Sequence, residues 1–317
     1  MIKILANDGI DPAGKALLEA AGFIVDTTNI PQEELPARLN EYDAITVRSA
    51  TKVRAALIDA TPNLKLIGRG GVGVDNIDVE HAKAKGIGVY NTPASSSLSV
   101  AELVFGHLYG GVRFLHDSNR KVPVEGATNF NGLKKAYAKG VELRGKTLGI
   151  LGFGRIGREV AKIAIGVGMD VLAYDLFPFN PDVEIELGTG GKKVTVTVKT
   201  ATFEEVLTQS DFLTLHTPFV DKPLIDVAEL ELLKKGVGLV NCSRGNLIEE
   251  GALIDALNSG KVSFAALDVF ENEPTPRQDI LTHPKISLTP HIGAATNEAQ
   301  ERIGLELANL IIGHFKS

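Results

Sequence analysis

The sequence predicts an α/β fold of two doubly wound parallel-sheet domains, one inserted in the other. Three observations carry that expectation. The 317 residues provide material for two domains of about 150 residues each. Residues 1–94 alternate short strand-like and helix-like segments, as a parallel sheet with helices on both faces requires. The stretch Thr147–Asp175 then reads as strand, glycine turn, helix, strand and acid.

In the first domain, Ile2–Ala6, Phe23–Asp26, Ala44–Val47 and Leu64–Gly68 are expected as strands, and Pro12–Ala21, Pro31–Asn40 and Val53–Ala60 as helices. No GxGxxG occurs at its first turn, so this domain is not expected to bind a dinucleotide. Residues 91–99 are rich in turn formers and mark the crossing between domains, followed by a long helix from Val100 to Asn119. Residues 120–140 are expected to be irregular, as an arm that packs on a partner subunit. The second domain continues through strands at Phe212–His216, Gly238–Asn241 and Ser263–Val269. An extra hairpin lies within 183–199, where two alternating segments flank GTGGK. The C-terminal stretch Thr296–Phe315 carries Ile303, Leu307, Leu310 and Ile311 at helical spacing and is expected to pack back on the first domain. The expected domains are therefore 1–94 with 292–317, and 95–291.

The glycine turn carries the first functional expectation. Gly152 permits the tight turn, Gly154 lets a pyrophosphate approach the backbone, and Gly157 lets the helix pack closely on the strand. The first helical turn, with Arg155 and Ile156, presents N–H groups without helical partners, where the helix dipole favours an anion. Asp175 stands at the interval that suits a ribose 2′-OH. Its charge would repel a 2′-phosphate, which favours NAD over NADP.

Composition narrows the function classes. A net charge of −6 argues against a general nucleic-acid binder. The single cysteine, Cys242, forbids an intrachain disulfide and fits a reducing cytoplasm. No uncharged apolar run approaches the roughly 20 residues of a membrane helix, and the N-terminus lacks the pattern of a signal peptide. A soluble, cytoplasmic protein is expected. No His, Cys or Asp cluster has metal-ligand spacing, so no metal is expected, and no hydrolase or kinase motif occurs.

Four polar residues follow expected strands beyond the glycine turn: Arg244, Asp268, Glu273 and His291. In open parallel sheets ligands bind outside the carboxyl ends of the strands. Removing a hydride from an alcohol requires a group that takes the hydroxyl proton, and a histidine, with an ordinary pKa near ~6.5, suits that task. Glu273 behind it would fix the imidazole tautomer. Arg244 would clamp a carboxylate with its planar fork, and Asp268 would accept from the nicotinamide amide. His216 is read as structural, with its backbone and that of Thr217 and Pro218 lining the adenosine side. His81, His107, His116, His283 and His314 are read as structural as well.

With these motifs in view the chain resembles the D-isomer-specific 2-hydroxyacid dehydrogenase family along nearly its whole length. GRGGVGVDNID at 68–78, NTPASSSLSVAELVFG at 91–106 and GFGRIG at 152–157 carry the resemblance, with NCSRGNLIEE at 241–250, ALDVFENEP at 266–274 and LTPHIGAAT at 288–296. It implies a Rossmann-type NAD domain inserted in a flavodoxin-like substrate domain, and a homodimer formed through the NAD domain. It implies His291 as acid–base, Glu273 as its orienting carboxylate and Arg244 as the residue that binds and polarises the 2-keto acid. Asp268 holds the cofactor on this reading, and Cys242 and Gly293 join the cofactor set. Gly71, Val72, Gly73 and Val74 would offer N–H groups to the substrate carboxylate. Arg48, Ser49 and Arg69, with Lys135 from a partner's arm, would meet a substrate phosphate. The implied reaction is oxidation of D-3-phosphoglycerate to 3-phosphohydroxypyruvate, the first step of serine synthesis. The alternatives are reduction of unphosphorylated hydroxypyruvate or glyoxylate, and an NAD-sensing, corepressor-like interaction protein. The chain stops after the closing helix, so a C-terminal serine-sensing domain and feedback through it are not expected. Its hairpin and its lack of tryptophan depart from the family pattern.

Overall fold

A computed structural model describes residues 1–188 and 191–316. The chain divides into two compact units, Met1–Ser99 with Ala294–Ser317, and Val100–Gly293. The sequence placed these boundaries a few residues earlier.

The first unit is a five-stranded parallel sheet. Its strands are β1 (Lys3–Ala6), β2 (Ile24–Asp26), β3 (Ala44–Val47), β4 (Leu66–Arg69) and β5 (Gly88–Asn91), in the order β2-β1-β3-β4-β5. The connecting helices are α1 (Pro12–Ala20), α2 (Leu35–Arg38), α3 (Ala55–Ala60) and α4 (Val79–Ala84). Asp11 caps α1 by accepting from the Ala13 N–H, and Pro12 occupies the first turn, where a missing N–H costs nothing. Because successive strand residues face opposite ways, Ile4 and Ala6 pack on one side of β1 with Leu307 and Ile311 of the C-terminal helix, Asn297–Lys316. Leu5 and Ile45 pack on the other side with Leu57 and Ile58. The helix expected over Pro31–Asn40 is one turn, α2, followed by a 3-10 turn at Leu39–Glu41. Pro36 has no N–H to extend a helix from further upstream.

The second unit begins within α5 (Ser97–Val112), and α6 (Leu115–Ala136) follows after Phe114 in a left-handed conformation, φ 55°. The irregular arm expected at 120–140 is thus mostly helix, with a kink at Asn129. Tertiary ties hold it where propensity does not. Leu133 is buried, the Tyr137 hydroxyl donates to Asp117, and the Phe114 and Tyr137 rings pack together.

The sheet of this unit contains β6 (Thr147–Leu151) and β7 (Asp170–Tyr174), with α7 (Arg155–Gly166) between them. A two-stranded antiparallel hairpin follows, β8 (Asp182–Leu187) with β9 (Lys192–Thr197). The expected hairpin is therefore present, although Thr189 and Gly190 of its turn lie outside the described residues. The short β10 (Lys199–Thr200) rejoins the sheet beside β7. Then come α8 (Phe203–Gln209), β11 (Phe212–Leu215), α9 (Val227–Leu232), β12 (Val237–Asn241), α10 (Glu250–Ser259), β13 (Val262–Leu267), α11 (Gln278–Thr282) and β14 (Ile286–Leu288). The seven strands are all parallel, in the order β10-β7-β6-β11-β12-β13-β14. The chain runs outward from β6 to β7, then crosses back to β11. The strand order therefore reverses between β6 and β11, where ligands of open sheets bind. Apolar clusters cover both faces of this sheet.

Candidate active site

The residues singled out in the sequence stand at the carboxyl edge of the seven-stranded sheet, each just past the end of a strand. Along the sheet they run Asp175 after β7, Gly152 after β6, His216 after β11, Arg244 after β12, Asp268 after β13 and His291 after β14. At about 4.8 Å per strand spacing this edge is roughly 24 Å long.

The β6 end fits a dinucleotide. Gly152 has φ 94°, and a Cβ there would lie 2.6 Å from the His216 carbonyl oxygen. A Cβ on Gly157 would lie 2.2 Å from the Gly152 oxygen, so helix and strand end are in close contact. Gly154, by contrast, faces open space, with nothing within 4 Å of a Cβ. It caps α7, whose first turn carries Arg155 and Ile156 and has no side-chain cap on its N–H groups. An uncapped helix N-terminus with open space before it would fit an anionic diphosphate. Asp175 is anchored beside it. One carboxylate oxygen accepts from the Phe153 N–H at 2.7 Å and the other from the Phe177 N–H at 3.2 Å. At the β11 end His216 Nε2 bonds Thr214 Oγ1 at 3.0 Å, and burial pushes its pKa down to about 3. His216 Nδ1 and Thr217 Oγ1 are buried with no partner among the described residues, two polar atoms that a polar ligand could satisfy. Pro218 next to them is exposed. The Cys242 thiol is free and buried, and burial first, then the negative charge of Asp268, raises its pKa well above the ordinary value.

The β12–β14 end brings Arg244, Glu273 and His291 together. His291 Nδ1 lies 2.8 Å from Glu273 Oε2, while Glu273 Oε1 accepts from the Phe270 N–H at 3.0 Å. Burial alone would raise the Glu273 pKa. The His291 hydrogen bond and charge, the Phe270 N–H and the Arg244 charge outweigh it, and the carboxyl ends below its ordinary range. An ionised carboxylate only accepts, so His291 Nδ1 carries a proton and Nε2 is the atom left to exchange one with a ligand. The Glu273 hydrogen bond raises the His291 pKa against its partial burial. The charges of Glu273 and Asp268 add to the rise and that of Arg244 opposes it. Arg244 Nη1 donates to the Ser243 carbonyl at 2.7 Å.

His291 itself has φ 55°, a left-handed backbone that costs a residue with a Cβ about 1–2 kcal/mol. Asp268 holds it there. Its Oδ1 accepts from the Ile292 N–H at 2.8 Å and from the Thr289 hydroxyl at 2.6 Å, and its Oδ2 accepts from the Gly293 N–H at 2.8 Å. Asp268 and Gly293, expected to face the cofactor, are thus bonded first to each other. Thr289 was not singled out in the sequence. Its only signal was a hydroxyl two residues before His291 at a strand exit.

In the first unit, residues 70–74 form a loop after β4. The Gly71 N–H donates to the Arg69 carbonyl at 2.9 Å. The sharp turn at this residue folds the loop back on itself. The N–H groups of Val72, Gly73 and Val74 have no acceptor among the described residues, and Val72 is exposed. Arg69 Nη1 donates to the Gly70 carbonyl. The Arg48 N–H bonds Asp8 Oδ2 at 2.6 Å, its carbonyl accepts from the Asn76 amide at 2.8 Å, and Ser49 beside it is exposed. Among the described residues no group of three His, Cys, Asp or Glu side chains is placed to hold a metal, and no helix is long and apolar enough to cross a membrane.

Residues 105–293 match the model of the D-isomer specific 2-hydroxyacid dehydrogenase NAD binding domain. The chain is 41% identical over 310 residues to a D-3-phosphoglycerate dehydrogenase of Sus scrofa, covering 96% of this chain and 55% of that protein. It is 40% identical over 315 residues to a hydroxypyruvate reductase of Thermotoga maritima, covering 98% of this chain and 97% of the relative. The chain thus spans about half the length of several curated relatives it matches and nearly all of another. The crystal structure of a Thermus thermophilus protein superposes with a TM-score of 0.83 at 29% identity, covering 99% of this chain and 97% of the other.

Proposed function

Because the chain belongs to the D-isomer specific 2-hydroxyacid dehydrogenase family, we propose that it is an NAD-dependent oxidoreductase of D-2-hydroxy acids, acting on D-3-phosphoglycerate. The observation that carries this reading is the His291–Glu273 pair, 2.8 Å apart, with Arg244 close enough to shift both pKa values.

NAD is the cofactor, and when bound it supplies the acceptor for the substrate hydride. Gly154, the α7 first turn with Arg155 and Ile156, and Asp175 would hold its diphosphate and ribose, and the ends of β11 and β12 its remaining groups. His291 Nε2 takes the hydroxyl proton during oxidation and returns it during reduction. Glu273 keeps the Nδ1–H tautomer and stabilises the imidazolium. Arg244 binds the substrate carboxylate and steadies the oxygen that changes bond order. The N–H groups of Val72–Val74 and the cations Arg48 and Arg69 are the first unit's candidates for a carboxylate and a phosphate.

A homodimer through the NAD domain is part of the proposal. Leu115, Val122, Val124 and Phe130 are exposed along α6, with Val124 at 81%, an apolar display that a second copy would cover. The buried free thiol fits a reducing, cytoplasmic setting.

The second reading is hydroxypyruvate or glyoxylate reduction, favoured by the full-length likeness to a hydroxypyruvate reductase. Steady-state rates on D-3-phosphoglycerate, 3-phosphohydroxypyruvate, hydroxypyruvate and glyoxylate, with NAD(H) and NADP(H), test both. Preference for the phosphorylated pair supports the proposal, and preference for plain hydroxypyruvate replaces it. NADH binding with no turnover of any of the four would favour a sensing protein.

A further inference from the structure

His107 sits in α5 among buried apolar residues, Val104, Phe105 and Leu108 among them, and is itself buried. Burial lowers its pKa, the Asp268 charge opposes this and the His116 charge adds to it, so the neutral ring is favoured. Both ring nitrogens are engaged. Nδ1 lies 3.2 Å from Ser287 Oγ, and Nε2 lies 2.9 Å from Thr289 Oγ1.

The direction of these bonds follows from proton counting. Thr289 gives its only hydroxyl proton to Asp268 Oδ1. It therefore accepts from His107, and Nε2 carries the imidazole proton. A neutral ring then has a lone pair on Nδ1, which accepts from the Ser287 hydroxyl. One oriented chain of bonds runs from Ser287 through His107 and Thr289 to Asp268, and on to the N–H groups of Ile292 and Gly293.

We propose that His107 is a positioning residue, which fixes the loop bearing His291 by orienting Thr289 and, through it, Asp268. The inference rests on the dehydrogenase reading. A methyl-bearing side chain would fill the same space in α5, but it would leave Thr289 without its donor. The need for an outside tie is visible in the fold. β14 is a three-residue edge strand paired only with β13, and three residues past its end His291 is held at φ 55°.

The test compares His107→Met, which keeps bulk and removes the donor, with His107→Gln, which retains an N–H. Thr289→Val is compared with Thr289→Ser in the same way. For His107→Met and Thr289→Val, kcat for keto-acid reduction should fall about tenfold, as expected when a reacting group loses its alignment. The apparent pKa of the acid–base group should also move down, because the Glu273 contact that raises it loosens. His107→Gln and Thr289→Ser should recover most of both effects. The double variant His107→Met/Thr289→Val should be no worse than either single change, since both cut one chain. A His107→Met enzyme with lower thermal stability but an unchanged kcat and pH profile would overturn the proposal. If the apolar variants fail to fold, nitrogen-15 shifts of the unaltered protein decide: a neutral Nε2–H ring near neutral pH supports it, and an Nδ1–H or protonated ring sinks it. If the unaltered chain reduces no 2-keto acid, the dehydrogenase reading falls by itself. The tie is then judged from amide exchange, where loss of protection at Ile292 and Gly293 in His107→Met that His107→Gln largely restores reports it, and protection in His107→Met equal to that of the unaltered protein removes it.

Discussion

Two alanine substitutions in one turn separate the packing role of the glycine motif from its binding role. A Cβ on Gly157 would fall 2.2 Å from the Gly152 oxygen and 3.2 Å from Ile150 Cγ2. Neither a backbone oxygen nor a strand residue can rotate away, so α7 must move off the end of β6. Overpacking of this kind costs about 3 kcal/mol at the upper end. Alanine regains about 1 kcal/mol over glycine inside a helix. The net loss of about 2 kcal/mol lowers Tm by roughly 4–8 °C for a unit of this size. A Cβ on Gly154 meets nothing within 4 Å, and its φ of −74° suits any residue. Gly154→Ala should therefore unfold no earlier than the unaltered chain. Its methyl group would stand where the diphosphate approaches. A displacement costing about 1.4 kcal/mol weakens NADH tenfold. Thermal unfolding without cofactor, and a fluorescence titration with NADH, read the two effects separately. NADH binding at full strength by Gly154→Ala, or an unchanged Tm for Gly157→Ala, would refute the reasoning.

Further outcomes are expected. His291→Ala should lower turnover by ~10²–10⁴-fold while NADH still binds; unchanged turnover would remove His291 from the mechanism. Oxidation needs neutral His291, so its rate should rise with pH through a pKa above the ordinary histidine value. In Glu273→Gln the charges left facing the ring are Asp268 and Arg244, and the midpoint should move to lower pH. A profile that stays put would show that Glu273 does not set it. Asp175→Ser should narrow the preference for NAD over NADP, measured as the ratio of kcat/KM values, and an unaltered ratio would deny Asp175 its ribose role. Arg244→Lys should raise KM for the keto acid and lower kcat despite the conserved charge, because the planar fork is lost; wild-type kinetics would argue for a purely electrostatic contact.

The parts of this protein legible in the sequence are those whose signal is local. A buried parallel strand is a short apolar run, and the first polar residue after it marks the carboxyl edge of the sheet. Asp175, His216 and Asp268 were recognisable on that basis, Arg244 and His291 stand three residues past their strands, and the alternating segments at 183–199 announced their hairpin. Helix α6 was not legible. Pro123, Gly126, Asn129 and Gly132 all speak against a helix, and the Tyr137–Asp117 bond and the burial of Leu133 that hold it lie far apart in sequence. Hydrogen-bond occupancy was equally hidden. Nothing in GRGGVGVDN shows that the Gly71 N–H donates to the Arg69 carbonyl, and nothing in LTPHIG shows that Thr289 is tied to Asp268. Such facts depend on backbone angles and on partners brought in from other strands.

The lone thiol has a practical consequence. Cys242 is buried and held protonated, so it should be inert toward maleimides and iodoacetamides in the native state. The wild-type chain is thus a silent background for site-directed labelling. A single cysteine introduced at Val124 or Phe130, both exposed on α6, would take a spin label or fluorophore there alone. Its signal would report directly whether α6 meets a second copy of the chain.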